Sequence, residues 1–215
     1  MRRREPLLAA ALGLVLAGCA GLKAPTAHRY FVLEAAPSRM AAARGLRRDA
    51  TLLVAPTTAA SFYDSRQIVY SRRPHERAYY QLSSWTEPPS RSLASLLAAR
   101  VAHGRAFRGV AETTSGVRGQ LLLRTHLAEI YHDAAAPPGS ASVTLIAELS
   151  DPEGRTLIAR RSFSASAPVL SYDAAGAVQA FGRVLGPLLD EIAAWVAEAA
   201  AGASSAAADQ GHRKR

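Results

Sequence analysis

Residues 141–165 read ASVTLIAELSDPEGRTLIARRSFSA, and this stretch carries the strongest fold signal in the chain. Between residues 141 and 150, apolar side chains alternate with polar ones, as in a strand with one buried face. The buried face would carry Val143, Leu145, Ala147 and Leu149. Asp-Pro-Glu-Gly at 151–154 is a strong turn sequence, so residues 155–165 are predicted to return as an antiparallel partner. The stretch therefore predicts a β-hairpin.

The other strands are predicted from short runs that are rich in β-branched and aromatic residues. These runs are residues 28–35, 51–56, 66–72, 77–85, 107–112 and 120–132. Arg73-Pro74-His75-Glu76 separates two of them and has the composition of a turn. Residues 66–85 are therefore predicted to form a second hairpin.

Two stretches have helical periodicity. The first begins near Pro89, because proline suits the first turn of a helix, and ends near Gly104. Its apolar face is formed at three- and four-residue spacing by Leu93, Leu96, Leu97 and Val101. The second runs from Asp173, a suitable N-cap, to Ala200, and Pro187 is expected to kink or divide it. The order of elements predicts an α+β fold, with one domain and a largely antiparallel sheet covered by two helices.

The N-terminus has the pattern of a secretory signal. Arginines at positions 2–4 precede an apolar run, residues 7–17, that is too short to span a bilayer as a helix. The run ends in a sequence that resembles a bacterial lipobox, namely Leu16, Ala17, Gly18 and Cys19. In such a sequence the cysteine receives a diacylglycerol on its sulfur and, after cleavage, an N-acyl chain such as palmitate. No other cofactor is indicated, and the alternative is an ordinary signal peptide that contains a cysteine.

The lipobox divides the chain into four segments. Residues 1–18 are predicted to be the signal peptide, 19–27 the lipidated N-terminus and linker, and 28–201 the folded domain. Residues 202–215 consist of alanine, serine and charged residues and are predicted to be a disordered tail. The chain contains one cysteine, so it cannot form an internal disulfide, and lipidation gives that thiol a purpose.

The residue after the cysteine and the net charge bear on location and partners. Residue 20 is alanine, whereas aspartate there commonly retains lipoproteins at the inner membrane. By resemblance to this sorting rule, we expect a lipid-anchored protein on the periplasmic leaflet of the outer membrane. Loss of residues 1–18 removes three arginines and one glutamate, so the formal charge falls from +9 to +7. Nucleic acid is not an expected partner there, which leaves anionic headgroups, acidic envelope proteins or mere compositional bias.

The sequence offers only weak candidates for metal-binding or catalytic residues. His126, Glu129 and His132 are the best metal ligands by type, but the two histidines would lie about 20 Å apart in a strand that rises roughly 3.3 Å per residue. Both are interpreted as surface histidines, with no metal site. Asp190 and Glu191 are predicted on the solvated face of the last helix. No nucleophile elbow or phosphate-binding glycine loop is present in the sequence, so no catalytic residue is proposed and the protein is not expected to be an enzyme.

Several motifs together resemble one family. Tyr30-Phe31-Val32-Leu33 with Pro37 is similar to a Tyr-Tyr-x-Leu-x-x-Pro opening that follows a lipid anchor. Residues 64–70, DSRQIVY, match an Asp-x-x-Gln-Ile-Val-Tyr segment. Trp85 precedes a proline-led helix, Ala180-Phe181 lies in the last helix, and Trp195 lies near the end of that helix. The chain thus resembles the ABC-type transport auxiliary lipoprotein component family, the lipoprotein partner of MCE-type (paraquat-inducible) intermembrane lipid transport systems. Gly186-Pro187 departs from the continuous helix expected there.

The resemblance implies a non-catalytic part in a larger assembly. The partners would be an MCE-domain protein and, through it, the permease and ATPase of an ABC transporter at the inner membrane, with the lipoprotein docking at the outer membrane. A homo-oligomer is left open. The competing functions are an outer-membrane assembly lipoprotein, serving β-barrel or lipopolysaccharide insertion, and a periplasmic lipid-binding carrier.

The hairpin at residues 66–85 is the candidate docking surface. Tyrosine and arginine are enriched in interface hot spots, which favours this role. The residues proposed to contact the partner are Arg66, Tyr70, Arg72, Arg73, Arg77, Tyr79 and Tyr80. The alternative is that these aromatic side chains simply pack against the sheet.

Overall fold

The computed structural model describes residues 27–40, 47–153 and 155–212, with side chains as far as residue 203. The predicted signal peptide, Cys19 and most of the linker lie outside these ranges. Within them the strands are β1 Arg29–Phe31, β2 Arg48–Val54, β3 Thr58–Ala59, β4 Gln67–Ser71, β5 Ala78–Trp85, β6 Phe107–Glu112, β7 Leu121–Asp133, β8 Ser140–Ser150 and β9 Leu157–Pro168. The helices are α1 Pro89–His103, α2 Ala174–His212 and a short 3-10 helix, Thr113–Ser115.

Strand β7 is the central strand of one mixed sheet and pairs with four other strands. One of its edges pairs with β8, in antiparallel orientation. Its other edge is shared by β2, β3 and β4, which lie one after another along β7 and all run parallel to it. The register joins Leu52 to Leu121, Thr58 to His126, and Tyr70 to His132. The chain from β2 to β4 therefore follows β7 in the same direction for almost its whole length.

The remaining pairings widen the sheet. β5 is antiparallel to β4, β1 is parallel to β5, β6 is parallel to β2, and β9 is antiparallel to β8. Among the described residues, five strand pairings are parallel and three are antiparallel. The predicted α+β fold with a largely antiparallel sheet is therefore wrong. The domain is α/β, with a mixed, largely parallel sheet and two helices. Both predicted hairpins, β4–β5 and β8–β9, are confirmed.

The two helices pack on the same face of the sheet and share one hydrophobic core. Odd-numbered residues of β8 from Ala141 to Leu149 are buried beneath α2, as the alternation predicts. Trp85 of β5 contacts Phe181 of α2, with ring centroids 5.8 Å apart. Phe163 of β9 contacts Trp195 of the same helix at 5.5 Å. We call β1, β5 and β4 one wing of the sheet and β8 and β9 the other. Helix α2 thus contacts both wings.

The limits of α2 differ in part from expectation. Asp173 is its N-cap, as predicted, because Asp173 Oδ1 accepts the Gly176 amide at 2.7 Å. Pro187 lies inside the helix and does not divide it. A Cβ at Gly186 would lie 2.8 Å from the Ala36 Cβ, so this glycine lets the segment after β1 pack closely on α2. The helix continues beyond Ala200 and includes residues 202–212 of the segment predicted to be a disordered tail.

Candidate functional site

The tip of the β4–β5 hairpin is a tight, exposed turn. The Glu76 amide donates to the Arg73 carbonyl at 3.3 Å, and the Ser71 hydroxyl donates to the same carbonyl at 2.8 Å. His75 follows with φ of 63°, the left-handed conformation that often closes such a loop. Arg72 and Arg73 are exposed at this tip, and Arg66 is exposed at the base of β4.

The helix-side face of the hairpin carries an aromatic cluster formed by Tyr70, Tyr80, His132 and Tyr172. The Tyr70 and Tyr80 rings lie 4.9 Å apart, and the His132 and Tyr172 rings lie 5.9 Å apart. The Arg72 guanidinium lies 5.0 Å from the centre of the Tyr70 ring. The cluster therefore joins β4, β5 and β7 to the loop that leads into α2.

His132 is completely buried at the centre of this cluster, so its interpretation as a surface histidine was wrong. Its Nε2 lies 2.8 Å from the Pro138 carbonyl, which can only accept, so Nε2 carries the proton. Its Nδ1 lies 2.7 Å from the Tyr80 hydroxyl and, with the proton on Nε2, accepts a hydrogen bond from that hydroxyl. Gly139, with φ of 82°, permits this arrangement because a Cβ there would clash with the Asp133 carbonyl and lie 2.9 Å from His132 Nε2.

The environment of Tyr80 disfavours its phenolate. Burial, the negative charge of Asp173 and the nearby Tyr172 raise the pKa of Tyr80 to about 12, although Arg72 opposes the change. Tyr80 therefore remains a neutral phenol over the whole physiological range of pH.

The opposite face of the hairpin carries a second cluster, centred on Arg77. Its guanidinium lies 3.9 Å from the centre of the Tyr131 ring, donates to the Tyr63 hydroxyl at 3.1 Å, and pairs with Glu129 at 3.3 Å. The Tyr79 ring stacks on Phe62 at 4.6 Å. Arg77 and Tyr79 thus have structural contacts within the chain.

A β-bulge in β7 explains why the two histidines of this strand face opposite ways. The register against β8 shifts between Leu127 and Glu129, so the buried positions change from odd to even numbers. His126 consequently points to the face away from the helices, where its Nδ1 lies 2.8 Å from the Thr58 hydroxyl. No group of three or more His, Cys, Asp or Glu side chains suited to a metal ion occurs within residues 27–40, 47–153 and 155–212.

His126 lines a cleft of about 360 Å³ on that open face. Arg124, Glu148 and Arg160 also line it, and Arg160 pairs with Glu148 at 3.3 Å. Arg124 donates to the Ser150 hydroxyl at 3.3 Å. The ionic side chains of this cleft therefore already have partners from neighbouring strands.

Asp190 does not lie on a solvated face, contrary to the prediction. Its carboxylate pairs with Arg100 of α1 at 2.8 Å, and only 8% and 12% of the two side chains are exposed. Burial raises the pKa of Asp190, but hydrogen bonds from the Arg39 amide, the Ser38 hydroxyl and Arg100 outweigh it, and the pKa is lowered overall. Arg100 also donates to the Ala36 carbonyl at 2.7 Å. Glu191, in contrast, forms an exposed pair with Arg161.

The structure thus divides the seven predicted contact residues among three environments. Tyr70, Tyr80 and Arg72 belong to the helix-side cluster, Arg77 and Tyr79 to the opposite cluster, and Arg66 and Arg73 are exposed. The place of His132 and Tyr172 in the cluster was missed because the two residues come from distant parts of the chain, and neither lies in a recognisable motif.

Comparison with known proteins identifies the family. A family profile for the ABC-type transport auxiliary lipoprotein component matches residues 31–193, about three quarters of the chain. The chain belongs to this family. This auxiliary lipoprotein is therefore a membrane-anchored component of an ABC-type transport system, and the family implies a non-catalytic role. In the part of the chain that the structure describes, none of the helices combines the length and the apolar character of a membrane-spanning helix.

Solved structures support the fold of the auxiliary lipoprotein. Protein XCC0632 from Xanthomonas campestris, assigned to family DUF330, is 21% identical with a TM-score of 0.73, and the match covers 82% of this chain and 98% of that one. A crystal structure of an uncharacterized protein is 11% identical with a TM-score of 0.59, and covers 80% and 97% of the two chains. No curated protein sequence gives a significant match.

Proposed function

We propose that this auxiliary lipoprotein is anchored through acylated Cys19 in the periplasmic leaflet of the outer membrane and docks an MCE-domain protein there. The MCE-domain protein would carry phospholipid between the membranes and connect the lipoprotein to the permease and ATPase of the inner membrane. The match of residues 31–193 to the auxiliary component family is the observation that carries this proposal. The lipobox at residues 16–19 supports the anchor, and Ala20 supports the choice of membrane. We keep residues 28–201 as the proposed docking domain, and α2 continues past this boundary to His212.

The proposed docking surface includes the tip of the β4–β5 hairpin. Arg72 and Arg73 lie at the tip, belong to a hydrogen-bonded turn and are exposed, so they are available to an acidic partner surface. Arg77 and Tyr79 already contact other residues of the chain. We therefore expect them to stabilise the conformation of the hairpin rather than to bind the partner protein directly.

Capture of the lipidated protein from detergent-solubilised envelopes tests the function. The proposal expects an MCE-domain protein among the captured partners, in an outer-membrane fraction, and loss of membrane association for Cys19→Ala. Capture of barrel-assembly or lipopolysaccharide machinery without any transporter component would refute it. Co-purification of phospholipid with the protein, with no bound transporter component, would instead favour a lipid carrier.

A double charge reversal tests the surface. Arg72→Glu with Arg73→Glu should lower recovery of the MCE-domain protein roughly tenfold or more, because like charges across an interface are costly. Arg118→Glu with Arg155→Glu is the matched control, since both arginines are exposed at the other end of β7 and the change in net charge is the same. Circular dichroism checks that both double variants are folded. Equal recovery of the MCE-domain protein with the two folded variants would exclude the hairpin tip as the docking surface.

A further inference from the structure

Five exposed apolar side chains surround β1 and the start of α2. We call them the β1 patch, and they are Tyr30, Val32, Leu82, Leu170 and Tyr172. The exposed fraction reaches 66% for Tyr30 and 72% for Leu170. Side chains of this size and exposure, grouped on one part of a surface, indicate a surface that another body covers.

The first half of the patch lies on the free edge of the sheet. β1 pairs in parallel with β5, with Tyr30 opposite Ser84. Leu82 is two residues before Ser84, so it projects from the same face and neighbours Tyr30 diagonally. Within the described residues β1 has β5 as its sole strand partner, so no described strand covers its other edge.

The second half of the patch lies beside α2. Val32 lines a groove of about 420 Å³ together with Val178 and Arg183 of that helix. The Arg183 guanidinium donates to the Pro168 carbonyl at 2.7 Å, which ties the helix to the loop that carries Leu170. Tyr172 lies in the same loop, and its hydroxyl donates a hydrogen bond to the Ala134 carbonyl at 2.8 Å. Part of the Tyr172 ring is exposed.

The rim of the patch is rich in positive charge. Arg29 and Arg183 are exposed within it. Glu34 adds one negative charge in the groove, whereas the Asp173 carboxylate is turned to the helix N-terminus by its bond to the Gly176 amide. Apolar side chains surrounded by arginine are typical of surfaces that meet anionic lipid headgroups.

Residues 27 and 28, which precede β1, lie toward this same end of the molecule. Because β1 is parallel to β5, residues 27 and 28 extend from Arg29 toward the start of β5, which is the end that holds the hairpin tip. The loop that carries Leu170 follows Pro168, which pairs with Ser140, and Ser140 pairs with Asp133 at the end of β7, so the loop lies at that end too. Cys19 is nine residues before His28, and a chain of that length spans about 30 Å at most.

From this placement we propose that the β1 patch rests on the membrane, with Leu170, Tyr30 and Val32 in the interfacial layer and the arginines on anionic headgroups. The proposal rests on the proposed function, because it assumes that Cys19 carries the lipid. The second contact would fix the orientation of the domain on the leaflet, since attachment at Cys19 by itself leaves the orientation free.

Depth-dependent fluorescence quenching tests the orientation. Acylation blocks Cys19, so Leu170→Cys in the full lipidated protein accepts an environment-sensitive dye at one position. The protein is reconstituted into vesicles of phosphatidylethanolamine and phosphatidylglycerol that contain nitroxide-labelled lipid. Leu157→Cys is the matched control, because Leu157 is 58% exposed and lies at the opposite end of β9, roughly 35 Å away at 3.3 Å per residue.

The proposal expects the dye at position 170 to be quenched at least about twofold and to shift to the blue, while the dye at 157 is unchanged. Val32→Glu should reduce the quenching at position 170, whereas Val117→Glu, at a similarly exposed valine near the start of β7, should not.

Each contrary result points to a different failure. Protein that does not float with the vesicles would refute the lipid anchor, and with it the proposed function. Protein that floats but shows equal quenching at 170 and 157 would refute the membrane-facing patch and leave the anchor intact. Self-quenching between labelled copies without lipid quenching would assign the patch to a second copy of the chain and likewise overturn the proposal.

Discussion

At the scale of single residues, Asp190 and Glu191 are adjacent carboxylates with different energetic roles. Asp190→Asn leaves the Arg100 charge buried without its partner, which typically costs about 3–5 kcal/mol. Glu191→Gln removes an ion pair whose side chains are 50% and 51% exposed, which typically costs at most about 1 kcal/mol. Urea unfolding of the two variants measures the difference directly. Equal losses of unfolding free energy would show that the Arg100–Asp190 pair is not the link between α1, α2 and the segment after β1 that its geometry indicates.

At the scale of elements, the start of α2 depends on one capping side chain. The Gly176 amide hydrogen bond lowers the pKa of Asp173 most, burial opposes it, and Ser171 and Arg29 lower it further. Because the folded pKa lies below the ordinary value of 3.8, the carboxylate contributes stability above that pH and loses it as the pH falls through the folded pKa.

Two substitutions at position 173 separate the hydrogen bond from the charge. Asp173→Ala should lower the unfolding free energy at pH 7 by about 1 kcal/mol, because the cap is lost. Asp173→Asn should keep most of that stability, since its side-chain oxygen still accepts the amide, but should show a flatter decline in stability below pH 4. Thermal unfolding between pH 3 and 7 compares them. If alanine and asparagine behave alike, the cap does not determine where α2 begins.

Elements of this fold were predictable where the signal is local. Alternation and the turn at 151–154 predicted β8–β9, and proline and aspartate predicted where the helices begin. The parallel pairings were missed because they join distant segments, such as Leu52 and Leu121, and no pattern within a strand encodes its partner. The bulge near Glu129 was also missed. It turns the His132 side chain to the helix-side face of the sheet, where His132 hydrogen-bonds Tyr80. The hairpin motif therefore located the candidate site. The sequence did not predict that His132 and Tyr172 pack against the hairpin.

At the scale of the whole molecule, the two wings of the sheet share one core through α2, so we expect them to unfold together. The chain has two tryptophans, and each reports one wing, because Trp85 packs against Phe181 and Trp195 packs against Phe163. Variants that keep one tryptophan, Trp195→Phe and Trp85→Phe, give two independent probes. In each variant the fluorescence and far-ultraviolet circular dichroism transitions in urea should coincide, as cooperative unfolding requires. Loss of the Trp85 signal before the helical signal would show instead that β1, β5 and β4 open separately, which would leave the hairpin as an independently moving part of the docking domain.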